Sequence, residues 1–151
     1  MAGRIRISVL LLGTLIAGLA MAQAASKDAE AAAKSFAPPD GKVNIYVSRD
    51  TSSFGKLIQF KVLVDDKELG SIAQGTFFLI VVDPGKHSVK VVSTTNTAKA
   101  ELDTVAGKNY FFEVKAVSGF PAAQASMSRV IIDAMGRLMV TQSTLAQTVV
   151  Q

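Results

Sequence analysis

The sequence predicts an all-β fold: an antiparallel β-sandwich of seven or eight short strands. Three observations carry this. Apolar and polar residues alternate with a period of two over most of Lys42–Ile132, the rhythm of half-buried strands. Glycine, proline, asparagine and aspartate punctuate that stretch about every 8–12 residues, the spacing of turns in a sandwich. One run, Thr76–Val82 (Thr-Phe-Phe-Leu-Ile-Val-Val), has no polar face and predicts a central strand covered on both sides. Strands never alternate with long helical patterns, which argues against a parallel α/β sheet.

The chain opens with Met-Ala-Gly-Arg-Ile-Arg, followed by an apolar run from Ile7 to Leu19 and then small residues. Positive charge, apolar segment and small side chains in that order form a secretory signal peptide. Ala22-Gln23-Ala24 places small residues at −3 and −1, so cleavage is expected after Ala24, with residues 1–24 as the leader. The apolar run is shorter than the ~20 residues of a stable membrane span, so no span is expected after cleavage.

Residues 25–41 are rich in alanine and proline. Glu30 and Lys34 at i,i+4 favour a short exposed helix, and a linker fits as well. Pro38-Pro39-Asp40-Gly41 ends the segment. The domain is expected over 42–132. Lys42–Ser48 sets Val43, Ile45 and Val47 on one face and Asn44, Tyr46 and Ser48 on the other. Arg49–Lys56 is a polar loop. Leu57–Val64 and Glu68–Ile72 are strands joined by a turn at Asp65-Asp66-Lys67.

Asp83-Pro84-Gly85 follows the apolar strand. Proline presets φ and glycine accepts positive φ, the recipe of a type II turn. His87–Thr94, Ala98–Thr104, Asn109–Val117 and Met127–Ile132 complete the strands. Asp133 is expected to cap a short C-terminal helix within 133–151, with Met135, Leu138, Met139 and Leu145 near one face. Gly136 and the Thr/Ser content of Thr141–Thr144 weaken that helix.

Composition excludes several functions. The 151 residues are 49% hydrophobic and 19% charged, too apolar for a disordered chain. There is no cysteine, hence no disulfide, no thiolate metal site and no lipid anchor on an N-terminal cysteine. Arg4 and Arg6 lie in the leader. Removing them takes the 16 basic residues to 14 against 12 acidic ones, a net charge of about +2 with no basic block. Nucleic-acid binding, which needs a basic stripe to displace counterions, is not expected.

A block of motifs is shared with other proteins. It comprises Val64-Asp65-Asp66-Lys67-Glu68-Leu69-Gly70, Gln74-Gly75-Thr76-Phe77-Phe78, Asp83-Pro84-Gly85-Lys86-His87-Ser88-Val89 and Ala106-Gly107-Lys108-Asn109-Tyr110-Phe111-Phe112. In order and spacing these resemble a family of bacterial secreted proteins and lipoproteins known only as a domain of unknown function. The Pro-Gly-x-His hairpin is also similar to that of PEGA-type surface β-sandwiches. The resemblance covers about Val43 to Val117 and implies a fold and a compartment, not an activity. Asp66 stands where the family often has glycine, and the lipidated cysteine of many relatives is missing.

No catalytic constellation is legible. His87 is the only histidine, and a metal or a general base would need companions for it. It is read as structural, packed on the turn Asp83, Pro84, Gly85. Asp65, Asp66 and Glu68 enclose Lys67 and lack the alternating spacing of a calcium loop. Phosphate loops and Gly-x-Ser-x-Gly are absent. No metal, cofactor or enzymatic activity is therefore expected. The residues chosen as partner contacts are Tyr46 and Tyr110, as the aromatics expected to be exposed, with Arg49 and Phe54 from the polar loop. The expected role is a non-catalytic binding module, periplasmic or secreted and not lipid-anchored. Its partner would be an envelope protein or a cell-wall glycan, or it would serve as an accessory subunit of an envelope assembly; a hydrolase is the least favoured alternative.

Overall fold

The computed structural model describes residues 27–151. The leader and its expected cleavage site at Ala22 and Ala24 lie outside the described residues.

Helix α1 covers 27–33. Eight strands follow: β1 (Val43–Arg49), β2 (Phe60–Val64), β3 (Lys67–Ile72), β4 (Thr76–Val82), β5 (Gly85–Val92), β6 (Thr97–Thr104), β7 (Asn109–Val117) and β8 (Gln124–Val130). Helix α2 (Asp133–Thr141) and strand β9 (Thr144–Val150) end the chain. The strands form two facing sheets, one in the order β8-β7-β1-β4-β9 and one in the order β3-β2-β5-β6.

Between the sheets lies the core expected from the two-residue rhythm. Val43, Ile45 and Val47 of β1 meet Phe60, Val62 and Val64 of β2, with Phe78 and Ile80 of β4 and Val89 and Val91 of β5. Strand β4 is buried on both faces, as its unbroken apolar run predicts. Phe78, Ile80 and Val82 point into the sandwich, while Phe77, Leu79 and Val81 point outward.

The outward face reveals a third layer. Phe77, Leu79, Val81, Tyr46 and Phe111 form a second apolar cluster with Ala33 of α1 and Val140 of α2. Both helices lie on the outside of the five-stranded sheet. The segment read as a linker or exposed helix is thus attached to the fold. Its Glu30–Lys34 pair forms at 2.5 Å. Phe36 ends it at φ 56 and stands 5.4 Å from Tyr46, centroid to centroid.

Four further expectations are corrected. First, the sandwich is not wholly antiparallel, because β1 pairs parallel with β7, and β4 with β9. Parallel pairs need crossovers, and here the four-stranded sheet and α2 supply them. Second, Asp83-Pro84-Gly85 is not a hairpin. β4 and β5 belong to different sheets, so the turn is the corner between layers, with Gly85 at φ 144. Third, Asp133 does not cap α2. Ile132 is the N-cap residue, without a side-chain cap bond, and Asp133 pairs with Arg137 at 2.5 Å one turn on. Fourth, Leu145 is not on a helix. It belongs to β9, which adds a parallel edge to β4.

Candidate functional site

The motif residues converge at one end of the sandwich. Asp65 and Asp66 form the two-residue β2–β3 turn, with φ of 51 and 64. Two successive positive φ values define a tight hairpin turn, a conformation aspartate accepts better than most side chains. Asp65 then reaches across to β5. Its Oδ1 accepts from the Ser88 amide at 2.8 Å, and its Oδ2 accepts from His87 Nδ1 at 2.7 Å. The other ring nitrogen of His87, Nε2, donates to the Asp83 carbonyl at 2.7 Å.

A carbonyl and a carboxylate both accept, so the doubly protonated imidazolium satisfies both bonds at once. Burial alone would lower the His87 pKa. The bonds to Asp65 and to the Asp83 carbonyl outweigh it and raise the pKa above 6.5. His87 thus clasps the β2–β3 turn to the corner between sheets. The structure brings Asp83, Gly85 and His87 of the turn motif together and adds Asp65, which sequence reasoning placed only in a turn between two strands.

A cleft of about 440 Å³ opens beside this clasp, lined by Asp65, Asp66, Lys86, His87, Glu101 and Asp103 among others. Its charges are largely matched. Asp66 pairs with Lys90, and Glu101 with Lys99 at 2.6 Å. Among the described residues no three histidine or carboxylate side chains are grouped to hold a metal.

The expected partner contacts do not share a surface. Tyr46 is fully buried in the outer apolar layer. Its ring stacks on Phe111 at 5.1 Å and its hydroxyl donates to the Ala33 carbonyl at 2.8 Å, which ties α1 to the sheet. Burial pushes its pKa up to about 12. Tyr110 belongs to the inner core, and its hydroxyl accepts from the Val105 amide at 3.0 Å. Both tyrosines are buried because the helices and the second sheet cover the faces that a single alternating strand leaves undecided.

Arg49 is buried as well, and for a different reason. Its guanidinium lies 4.7 Å over the Phe60 ring and donates to the Gly55 carbonyl at 2.7 Å and to the Ile58 carbonyl. It is the internal post around which loop 50–59 folds. Gly55, at φ +69, packs so closely that a Cβ would stand 2.5 Å from that of Ala116. Phe54 alone of the four is exposed, at 49%. Its loop neighbour Leu57 is 94% exposed.

A second concavity, of about 230 Å³, runs between α2 and the ends of β1 and β7. Met135, Leu138 and Met139 form one wall, with Asp50 and Glu113 among the polar residues opposite. Met135 and Leu138 are each 58% exposed, and Ile131 and Ile132 continue the apolar surface at the helix start. The sequence marked Met135, Leu138 and Met139 as a stripe. Only the helix orientation shows that Met139 turns partly to the core while the other two stay outside.

The family described as "Protein of unknown function (DUF2846)" matches residues 39–127. The chain belongs to this family. The DUF2846 match spans β1 to the first half of β8, including the Asp65–His87 clasp and both inner faces of the sandwich. Helix α1, helix α2 and strand β9 lie outside the DUF2846 match. An "Uncharacterized protein" of Haemophilus influenzae is 29% identical over 126 residues, covering 83% of this chain and 74% of its own length. No solved structure matches. Among the described residues no helix is long and apolar enough to cross a membrane.

Proposed function

We propose that this DUF2846 protein is an exported, non-catalytic binding module of the bacterial cell envelope, periplasmic or secreted, which seats a protein partner along α2. The observation that carries the reading is the groove beside that helix. Met135 and Leu138 stay exposed on one wall while Asp50 faces them, beside Glu113, which is paired with Lys115 at 3.0 Å. Such a groove fits a segment that offers apolar side chains together with lysine or arginine. A cell-wall glycan fits less well. Sugar platforms use mostly tryptophan and tyrosine rings; this chain has no tryptophan, both tyrosines are buried, and the exposed rings are those of Phe54 and Phe120. The non-catalytic reading is supported by His87, which spends both ring nitrogens on the fold. Export is supported by the leader-like N-terminus.

In-cell photo-cross-linking tests the groove. A cross-linker at Met135 is expected to give a discrete protein adduct that Leu138→Glu abolishes, while one at Val105, on the charged end, gives none. Retention on purified peptidoglycan with no protein adduct would overturn the reading. Recovery of the full-length chain in the cytosol would overturn the export part separately.

A further inference from the structure

Among the described residues the two sheets end in four edges, at β8, β9, β3 and β6. Three of them are blunted against pairing with another strand. Strand β3 carries Lys67 and Glu68 and is interrupted by a bulge. Along β6, Lys99, Glu101 and Asp103 stand at alternate positions. Strand β8 is sealed by Asn96. Its side-chain amide donates to the Ala125 carbonyl and accepts from the Ala125 amide, each at 2.8 Å.

Strand β9 is the exception. Gln142–Gln151 contains no charged residue, no proline and no glycine. At its two ends the Thr144 amide donates to the Gly75 carbonyl and the Gln151 amide to the Val81 carbonyl, both toward β4. Backbone groups alternate in direction along a strand, so those of Thr148 and Val150 point away from β4, to the open edge. The start of that edge is occupied, because the Leu145 amide donates to Glu30 at 3.2 Å. The stretch Thr148–Val150 has no such cover among the described residues, and Val150 is 68% exposed.

An uncovered row of backbone donors and acceptors fits one kind of ligand, an extended backbone. Domains that capture a foreign peptide this way flank the edge with pockets for its alternate side chains. Neither concavity described above is lined by a residue of β9. What β9 matches is itself. Two β9 strands can run antiparallel about a two-fold axis at Val149. Thr148 of each copy then lies opposite Val150 of the other and exchanges both backbone bonds with it. Val149 lies opposite Val149, and Gln147 opposite Gln151, whose buried Nε2 lacks an acceptor within one chain. No charge meets a like charge, and β-branched pairs line the seam.

We infer that the protein is a two-fold dimer joined edge to edge through β9, which merges two five-stranded sheets into one. The assembly closes on itself, because each copy spends on it the one edge left unblunted among the described residues. The axis stands perpendicular to the sheet, so α2 of both copies lies on the same face. The dimer therefore presents two α2 grooves on one side, a geometry that holds a repeated partner by two attachments. This consequence rests on the groove reading above, and the pairing itself does not.

The chain has no cysteine, so a single introduced one reports its own surroundings. Protein purified after expression of the full sequence is expected to sediment as a dimer in analytical ultracentrifugation. Val150→Pro removes an amide that points away from β4, and is expected to sediment as a monomer with an unchanged circular dichroism spectrum. Thr148→Lys, which brings two lysines to the seam, is expected to raise the dimer dissociation constant about tenfold, and it decides the matter where the proline variant fails to fold. Under mild oxidation Val149→Cys is expected to give a disulfide-linked dimer, since facing residues of such a pair lie about 4.5 Å apart at Cα. Thr97→Cys, on the β6 edge, is expected to give none. A monomeric native protein, a Thr148→Lys variant that associates like the native one, or equal cross-linking at positions 97 and 149 would each overturn the inference. A foreign strand captured at position 149 in place of a second copy would overturn it in favour of a different partner. The Met135 adduct is scored on the monomeric variant too, so failure of the dimer and failure of the groove are told apart.

Discussion

Asp65 and His87 show how one pair of side chains joins two sheets' worth of turns. The carboxylate accepts from both the Ser88 amide and the imidazole, and the imidazole also holds the Asp83 carbonyl. The imidazolium form is the one that satisfies every partner, so protonation and folding are linked. Because the folded pKa of His87 lies above 6.5, its contribution to stability is fully present below that value. It is lost as the pH rises through the folded pKa. We predict that the urea midpoint of the native protein falls toward that of His87→Gln as the pH is raised from about 6 to about 8. Parallel midpoints across the range would refute the linkage. His87 was legible as a structural residue from its place after the Pro-Gly turn. Its partner was not, because Asp65 and His87 are 22 residues apart and meet only when β2 and β5 pair.

Among the elements, α2 depends on a residue that local propensity disfavours. Gly136 lies directly over Phe111, and a Cβ there would stand 2.3 Å from the ring. On helix propensity alone, Gly136→Ala would add about 1 kcal/mol of stability. The overlap reverses the sign, and we predict a net loss of about 1–3 kcal/mol in chemical denaturation, because the helix must lift from the sheet. A gain in stability would show that α2 does not rest on Phe111. The sequence marked Gly136 as a weak point of the helix, which is true of an isolated helix. It could not show that the glycine is what lets the helix approach the sheet so closely. The same limit applied to β1. Asn44, Tyr46 and Ser48 read as the other face of an ordinary strand, yet all three are buried. Tyr46 bonds the Ala33 carbonyl, and Ser48 Oγ lies 3.0 Å from Ser143 Oγ beyond the end of α2.

For the whole molecule, the consequential addition is β9. It runs parallel to β4 and borders the apolar stretch Phe77–Val81. Ending the chain at Ser143 would expose the backbone of a central, fully apolar strand as an open edge, a template for aggregation. We predict that this truncation elutes as aggregate or fails to accumulate in soluble form, by size-exclusion chromatography. A monomeric truncated protein with native-like circular dichroism would show that β9 is dispensable. A strand of this kind is hard to read in advance. Its Thr-Leu-Ala-Gln-Thr-Val-Val follows a helix almost directly, and it pairs with a segment 68 residues earlier at Thr76 and Thr144.

The sequence by itself determined the strand rhythm from β1 to β8, the inner core of the sandwich and the two-sided burial of β4. These follow from which neighbours along the chain are apolar, and that information is local. Tertiary structure alone decided which turns join strands and which join sheets. It also decided which tyrosines are covered, which parallel edges form and which loop side chains stand free. Those outcomes depend on contacts between segments distant in the chain, whose free energies no local pattern of residues records.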